Sequence, residues 1–209
     1  MMTNTPNPSL ASVQTAVNQA DNSDQQLRSS SRMSVAVFGG GCFWCTEAVF
    51  LSLRGVHSVQ SGYCGGHRDH PTYEDVCHGN TGHIEVVKVE FDPAVISYDG
   101  LLEVFFATHD PTTPGRQGND VGPQYQSAVF YEDEQQRQSA QQCIERINAS
   151  GQFTAPVCTQ LLPAATFWPA ESYHDNYFTR NPGQGYCAYV IAPKVAKFRQ
   201  QFNSLLRKN

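Results

Sequence analysis

The chain has 209 residues, a formal net charge of −5 and a pI near 5.7, so it is long enough for one domain with a sizeable core and gives no reason to expect nucleic acid as a partner. No apolar segment approaches membrane-spanning length and no signal-peptide core stands at the N-terminus, so we expect a cytoplasmic protein without a membrane partner. Seven cysteines are too few for a disulfide scaffold and odd in number, which favours a reducing compartment and chemical use of the thiols.

Residues 1–32 are mostly Asn, Gln, Ser, Thr and Ala, with almost no large apolar side chain. Such a segment buries too little surface to offset its ordering entropy, so the sequence predicts a disordered N-terminal tail. From residue 33 the composition becomes that of a globular domain, and we expect a single domain over residues 33–209. Within it, residues 181–209 predict a flexible tail with a final helix, because Pro182, Gly183 and Gly185 interrupt the chain there.

The apolar spacing predicts alternating strands and helices along residues 34–206. The predicted strands are residues 34–38, 56–63, 83–91, 127–131 and 157–162. The predicted helices are residues 43–53, 98–109, 133–149, 171–179 and 195–206, with a short turn at residues 72–76.

This element order predicts an α+β sandwich with a mixed sheet whose helices cover one face. Strand–helix–strand repeated twice favours a ferredoxin-like split βαβ core. Long irregular loops surround that core, and the longest spans residues 110–126 with three prolines and three glycines. A loop of that length inside a compact domain is usually functional.

One stretch, residues 35–47 (VAVFGGGCFWCTE), stands at the centre of the chain. It begins as an apolar strand, continues through three glycines and then enters a helix. Cys42 stands directly before that helix. Unpaired backbone N–H groups at a helix N-terminus favour negative charge, so we expect the Cys42 thiol to ionise more easily than a free cysteine and to act as a nucleophile. The adjacent Phe43 and Trp44 are placed to wall an apolar pocket.

Other interpretations of these residues remain open. The glycine turn lacks both the Rossmann spacing and a following Lys-Ser/Thr, which argues against a phosphate loop. A Cys-x-x-Cys pair also occurs in zinc sites and as two buried thiols. The rival hypothesis is therefore a metal-binding module, which would draw on seven residues: Cys42, Cys45, Cys64, Cys77, His67, His70 and His78.

Six motifs in the chain are GGGCFWC, PTY, GHIEV, HDPTTPGRQGND, QYQSA and ESYHDNYF. Together and in this order, from about residue 35 to residue 187, they resemble the peptide methionine sulfoxide reductases of the A type, which act on the S epimer. The resemblance implies an α/β sandwich elaborated on a ferredoxin-like core. It also implies reduction of methionine sulfoxide, free or in proteins, without metal or organic cofactor, by a monomer that thioredoxin recycles.

The resemblance also implies a role for each matching residue. Cys42 attacks the sulfoxide sulfur, and Glu85 protonates the sulfoxide oxygen. A carboxyl beside an aromatic wall should have a raised pKa, which suits an acid near neutral pH. The implied substrate-binding residues are Tyr73 and Tyr125, which hydrogen-bond the oxygen, Phe43 and Trp44, which hold the methyl group, and Asp120, an acidic residue lining the site.

The product of this chemistry is methionine and a sulfenic acid on Cys42. In the family a cysteine in a Gly-Tyr-Cys context condenses with the nucleophile, which points to Cys187 as the resolving residue. Cys45 is the alternative, because a Cys-x-x-Cys pair at a helix start oxidises readily. Two departures from the family stand out: Cys45 replaces a commoner glycine, and Gln126 stands where an arginine is frequent. For Cys64, Cys77, Cys143 and Cys158 we expect buried or inert thiols.

Overall fold

A six-stranded sheet organises the chain in the computed structural model, which describes residues 33–208; the predicted disordered tail, residues 1–32, lies outside the described residues. The strands of the sheet are β1 (Ser34–Gly39), β2 (Val56–Cys64), β3 (Ile84–Phe91), β6 (Ala128–Tyr131), β7 (Gln160–Pro163) and β8 (Trp168–Pro169), in the order β7-β6-β1-β3-β2-β8. The pair β6–β7 is parallel, and the other pairs are antiparallel. Two short strands, β4 (Arg116–Gln117) and β5 (Asp120–Val121), form a separate antiparallel pair.

Six α-helices accompany these strands in residues 33–208: α1 (Phe43–Phe50), α2 (Tyr73–Cys77), α3 (Tyr98–Thr108), α4 (Glu134–Ser150), α5 (Tyr177–Arg180) and α6 (Ala192–Gln201). Side-chain caps fix several starts: Thr72 accepts from Asp75 N at α2, Ser97 from Gly100 N at α3 and Asp133 from Gln136 N at α4. Short 3₁₀ turns lie at Pro123–Tyr125, Ser172–His174 and Asn203–Leu205, and a π-helical turn at Cys187–Ile191. None of the helices in this part of the chain has the length and apolarity that a membrane crossing requires.

The predicted split βαβ core is confirmed by the strand order. The succession β1-α1-β2-β3-α3-β6 places its strands as β6-β1-β3-β2, which is the antiparallel arrangement of a ferredoxin-like fold.

The period-two alternation of the strands separates two apolar clusters. Ala36 and Phe38 of β1 face the larger cluster, in which Phe38 stacks between Phe50 of α1 and Phe105 of α3 at ring-centroid distances of 5.4 and 4.9 Å. Val37 faces a smaller cluster that contains no helical residue. The helices therefore cover one face of the sheet, as predicted.

Several predicted elements differ in detail from the structure. The predicted helix over residues 171–179 is broken, because Asn176 adopts a left-handed conformation with φ of 49° between the turn Ser172–His174 and α5. The edge strand β8 is two residues long and leaves no periodic pattern to detect. The long loop over residues 110–126 holds the β4–β5 pair, and Gln126 accepts from Gly115 N at 2.8 Å to tie its ends together.

The prediction of a flexible tail over residues 181–209 is not what the structure shows. Cys187 begins the π-helical turn, and Ile191, Val195 and Phe198 bury their side chains against the domain. The end of the chain is also fastened: Arg207 N donates to Ser52 O at 3.0 Å, and its guanidinium donates to the carbonyls of Leu53 and Val56. The apolar residues of α6 recur at helical spacing, so they bury one face of the helix against the domain. This burial offsets the entropy that the segment loses when it becomes ordered.

Candidate active site

Cys42 lies at the junction of β1 and α1, in the N-cap position of the helix. Gly41 precedes it with φ of +87°, a conformation that L side chains rarely adopt. A Cβ at Gly41 would stand 2.5 Å from Cβ of Gln117, so the strand β4 can lie against the turn only because no side chain is present. The glycine turn thus brings the 110–126 loop directly to Cys42.

Glu85 lies on the same face of β3 as Val87 and Val89, beneath the start of α1. Its side chain is 2% exposed, and its carboxyl accepts the backbone N–H of Phe43 at 3.1 Å. Burial raises the pKa of Glu85 to about 8, against the lowering effect of the Phe43 N–H and with a smaller raising effect from the charge of Asp120. The raised pKa that the sequence predicted is therefore present, and Glu85 carries a proton at neutral pH.

The expectation of a lowered pKa for Cys42 is wrong for the structure as it stands. Burial raises the pKa of the Cys42 thiol, and its hydrogen bond with Cys45 and the nearby charge of Glu85 raise it further. Desolvation and a neighbouring carboxyl outweigh the partial positive charge of a helix of two turns. Cys42 therefore rests as a thiol beside a protonated acid.

Cys45 follows Cys42 by one helical turn and is 2% exposed. Its pKa is lowered to about 7, first by the hydrogen bond with Cys42 and, against the effect of burial, by the charge of Lys194. The charge of Lys194 thus favours the thiolate of Cys45, while burial and the charge of Glu85 disfavour the thiolate of Cys42.

The two predicted tyrosines converge on the acid from different elements. Tyr73 begins α2, and Tyr125 ends the 3₁₀ turn at Pro123–Tyr125. Burial and then the charge of Glu85 raise the pKa of both phenols, so both hydroxyls lie near the carboxyl and stay protonated. The site therefore holds two O–H donors beside an acid.

Phe43 and Trp44, the predicted aromatic wall of the pocket, differ in exposure: Phe43 is buried and Trp44 is half-buried. Phe43 is 1% exposed and packs between Tyr63 and His174, so it belongs to the core as much as to the site. Trp44 is half-buried and stacks on Tyr177 with centroids 3.8 Å apart and planes 7° from parallel. Its indole Nε1–H donates to Nδ1 of His174 at 3.0 Å.

A carboxylate in the ESYHDNYF motif organises these aromatic residues, and the sequence assigned it no role. Glu171 accepts the backbone N–H of Tyr73 at 2.9 Å and the hydroxyl of Tyr63 at 3.1 Å. It also lies 3.7 Å from Nε2 of the fully buried His174. The motif ESYHDNYF was visible in the sequence, but its contacts were not. The fold shows that Glu171 binds the backbone of Tyr73 and that His174 binds the indole of Trp44.

Asp120 lies in β5 at the edge of the site, where it accepts a hydrogen bond of 2.5 Å from the hydroxyl of Tyr186. The hydroxyl of Tyr186 also acts to lower the pKa of the Cys42 and Cys45 thiols. The sequence predicted Asp120 as a site residue but gave it no partner, and Tyr186 was noted only within Gly-Tyr-Cys. In the structure a hydrogen bond connects these two side chains.

Cys187 is fully buried in an apolar cluster with Cys42, Cys45, Ile191 and Val195. Its backbone N–H donates to Oε1 of Gln184 at 3.0 Å, and burial raises its pKa. The three thiols of the predicted relay thus share one cluster, although none of them is in a disulfide here.

The remaining four cysteines lie apart from that cluster. Cys64 and Cys143 are buried, Cys158 is intermediate and Cys77 is exposed, so the prediction of a buried or inert thiol leaves only inertness for Cys77. The thiol of Cys77 shares a hydrogen bond with the hydroxyl of Tyr73. Within residues 33–208, no three His, Cys, Asp or Glu side chains gather closely enough to hold a metal ion.

Comparisons with known proteins agree with this geometry. The family model described as peptide methionine sulfoxide reductase matches residues 34–206. A relative from Ralstonia nicotianae, peptide methionine sulfoxide reductase MsrA, is 59% identical over 174 residues, which are 81% of this chain and 91% of that protein. Among solved structures, methionine sulfoxide reductase A of Corynebacterium diphtheriae is similar with a TM-score of 0.69 and 35% identity, over 75% of this chain and 78% of that one. Mxr1 from Saccharomyces cerevisiae in reduced form also has a TM-score of 0.69, at 30% identity, over 75% of this chain and 90% of that one.

Proposed function

The chain belongs to the peptide methionine sulfoxide reductase family, A type, and we propose that its reduction of methionine sulfoxide runs through the thiol of Cys42 and the acid of Glu85 on the S epimer. The observation that carries this assignment is the buried Glu85 carboxyl, hydrogen-bonded to Phe43 N and protonated at neutral pH, next to Cys42. A sulfoxide sulfur becomes electrophilic only when its oxygen is protonated or strongly hydrogen-bonded. A neutral acid beside a nucleophile meets that requirement.

The sulfur of Cys42 attacks the sulfoxide sulfur while Glu85 gives its proton to the sulfoxide oxygen, and the thiol proton of Cys42 passes to Glu85. The hydroxyl then moves from the substrate sulfur to the Cys42 sulfur: the substrate S–O bond and the transient S–S bond break, a Cys42 S–O bond forms, and the sulfide leaves. The substrate sulfur is reduced and the Cys42 sulfur is oxidised to a sulfenic acid. Glu85 ends the step protonated, as it began.

We assign substrate orientation to Tyr73, Tyr125, Phe43 and Trp44. The two phenols, whose pKa values the charge of Glu85 raises, donate to the sulfoxide oxygen, and donors already in place cost no reorganisation during the reaction. The accessible face of Trp44 receives the methyl group, with Phe43 behind it. Asp120 fixes Tyr186, whose hydroxyl reaches the thiol pair.

The sulfenic acid is resolved by Cys187, with Cys45 as the alternative partner. Both lie in the cluster around Cys42, Cys187 at the start of the π-helical turn and Cys45 one helical turn after Cys42. A thiolate attacks the Cys42 sulfur, a disulfide forms and water leaves. Thioredoxin then reduces the disulfide, which places the enzyme in a reducing compartment such as the cytoplasm, and we expect it to work as a monomer.

A single-turnover assay without recycling reductant tests the nucleophile. Wild type and Cys42→Ser are mixed separately with each enantiomer of methyl p-tolyl sulfoxide, and the sulfide product is measured by chromatography. We expect stoichiometric sulfide from the S enantiomer with wild type and none with Cys42→Ser. The matched control is Cys64→Ser, whose thiol donates to Thr166 O away from the site. Sulfide formation by Cys42→Ser would refute the assignment.

A further inference from the structure

Glu47 is a second buried carboxyl, and the reaction described above does not use it. It lies one turn after Trp44 in α1 and is 2% exposed. Its Oε1 accepts the backbone N–H of Asn176 at 2.9 Å, and its Oε2 accepts that of Tyr177 at 3.3 Å. One carboxylate therefore binds the two consecutive peptides that begin α5.

Within residues 33–208, the N–H groups of Asn176 and Tyr177 donate to Glu47, and the other local contacts reach only nearby carbonyls, as when Asn181 Nδ2 donates to Tyr177 O. Asn176 has φ of 49° and its side chain provides no cap for the four-residue helix α5. An uncapped helix start leaves N–H groups without partners, and a helix of one turn is not stable by itself. The conformation of Asn176 and the position of Tyr177 therefore depend on Glu47.

The side chain that this anchor fixes is part of the site. Tyr177 stacks on Trp44 with centroids 3.8 Å apart, and Glu47 and Trp44 stand three residues apart on α1, on neighbouring parts of its surface. Glu47 thus holds Tyr177 from the backbone side while Trp44 meets its ring. The two contacts fix the Trp44 indole on the side of Tyr177, while the ring of Tyr73 lies 6.3 Å from it, centroid to centroid.

Holding this carboxylate lowers the stability of the fold. Burial raises the pKa of Glu47 to about 7, although both N–H bonds act to lower it. A glutamine would avoid the cost of burying a charge, but its amide NH₂ would face one of the two N–H groups. Only a carboxylate offers two acceptor oxygens to two adjacent donors.

We infer that Glu47 is a positioning residue for substrate binding: it anchors Asn176 and Tyr177 so that Tyr177 holds the Trp44 indole against the methyl group of the sulfoxide. The inference rests on the proposed function, because it assigns Trp44 to the substrate pocket. It predicts an effect on binding of the sulfoxide and a small effect on the chemical step.

The test measures the single-turnover rate against sulfoxide concentration in Glu47→Gln, Tyr177→Leu and the double variant. Loss of one charge-assisted hydrogen bond corresponds to about a tenfold effect, so we expect the half-saturating sulfoxide concentration to rise about tenfold in Glu47→Gln and the maximal rate to change less than about threefold. Because both residues act through one contact, the double variant should be no worse than Tyr177→Leu.

A matched control separates positioning from general stability. Glu90→Gln changes another hydrogen-bonded carboxyl, bound to Ser58 at 2.6 Å outside the site, and it should bind sulfoxide normally. In a Trp168→Phe background, Trp44 fluorescence should change in Glu47→Gln and in Tyr177→Leu but not in Glu90→Gln. A merely structural role would lower the melting temperature and leave both the emission and the half-saturating concentration in place.

Unchanged half-saturation and Trp44 emission in Glu47→Gln would overturn the inference, and so would fully additive effects in the double variant. If Glu47→Gln does not fold, normal sulfoxide binding by Tyr177→Leu overturns it equally. Each of these results leaves the proposed function standing, because that depends on Cys42→Ser.

Discussion

The Glu85 carboxyl and the backbone N–H of Phe43 are joined by a hydrogen bond of 3.1 Å, so the acid on β3 is fixed to the first turn of α1. Phe43 follows Cys42 directly in the chain. The bond therefore sets the position of the acid relative to the nucleophile through the backbone and does not depend on a mobile side chain. Proton donor and sulfur are held as one unit before substrate arrives.

Replacing the acid tests its role. We expect Glu85→Gln to slow single-turnover sulfoxide reduction by roughly 10²–10⁴-fold, the usual scale of general acid catalysis, with little change in sulfoxide binding. The amide still accepts from Phe43 N but has no proton of suitable pKa to give. Stopped-flow or quenched mixing with the S epimer measures the rate. Glu90→Gln serves as the control, and an unchanged rate in Glu85→Gln would exclude the acid role.

The two phenols share one task, so their loss should be graded. Tyr73→Phe and Tyr125→Phe should each slow the chemical step less than Glu85→Gln, because one donor remains on the sulfoxide oxygen. The double variant should be slower than either single variant. The single-turnover maximal rate measures this, with Tyr189→Phe as the control, since Tyr189 is 85% exposed. Equal and full loss in each single variant would contradict a shared role.

Glu85 also makes the stability of the fold depend on pH. Its pKa is about 8 in the folded protein against 4.5 as the ordinary value, so the folded state holds a proton that the unfolded chain releases. The stability contributed by Glu85 is then fully present below pH 4.5 and is lost as pH rises through 8, by about 1.4 kcal/mol for each unit of pKa shift.

Thermal melts at pH 5, 7 and 9 measure this effect. Glu85→Gln cannot titrate at that position, so its melting temperature should rise relative to wild type as the pH increases. The contribution from Glu47 is common to both proteins and cancels in the difference. Parallel pH profiles for the two proteins would show that Glu85 is ionised in the folded state at neutral pH.

The resolving step is tested by thioredoxin-coupled turnover. We expect a marked loss in Cys187→Ser, a milder loss in Cys45→Ser and no recycling in the double variant, because three thiols share the cluster around Cys42. Cys143→Ser, a buried thiol on α4, is the control. Full turnover in Cys187→Ser would reverse the ranking, and a double variant no worse than Cys187→Ser would leave Cys45 without a role.

The fold could be predicted where local pattern determines structure. The alternation of β3 and the spacing of α1 and α3 follow from apolar periodicity, and the order of elements led to the split βαβ core. The same alternation places Glu85 on the core face. The broken helix at Asn176 escaped prediction because its conformation depends on Glu47, more than a hundred residues earlier in the chain.

Motifs in family order predicted the residues of the candidate site and the raised pKa of Glu85, but not the raised pKa of Cys42. A helix N-terminus suggests an ionised Cys42, but the pKa of that thiol depends on burial and on Glu85, which sequence alone does not place. Likewise, Glu171 and Tyr186 act through long-range hydrogen bonds to Tyr63, Tyr73 and Asp120. Such contacts leave no periodic signal in the sequence.

The fastening of the chain end by Arg207 has a consequence for the movement of Cys187. The segment between Tyr177 and Ala192 is closed at both ends, by Glu47 on one side and by α6 with Arg207 on the other. Because both ends of this segment are fixed, Cys187 can move toward Cys42 or Cys45 only if its own π-helical turn unwinds. Removing the last three residues, Arg207 among them, would take away the contacts of Arg207, so the first reduction should proceed as before while formation of the disulfide with Cys187 should slow.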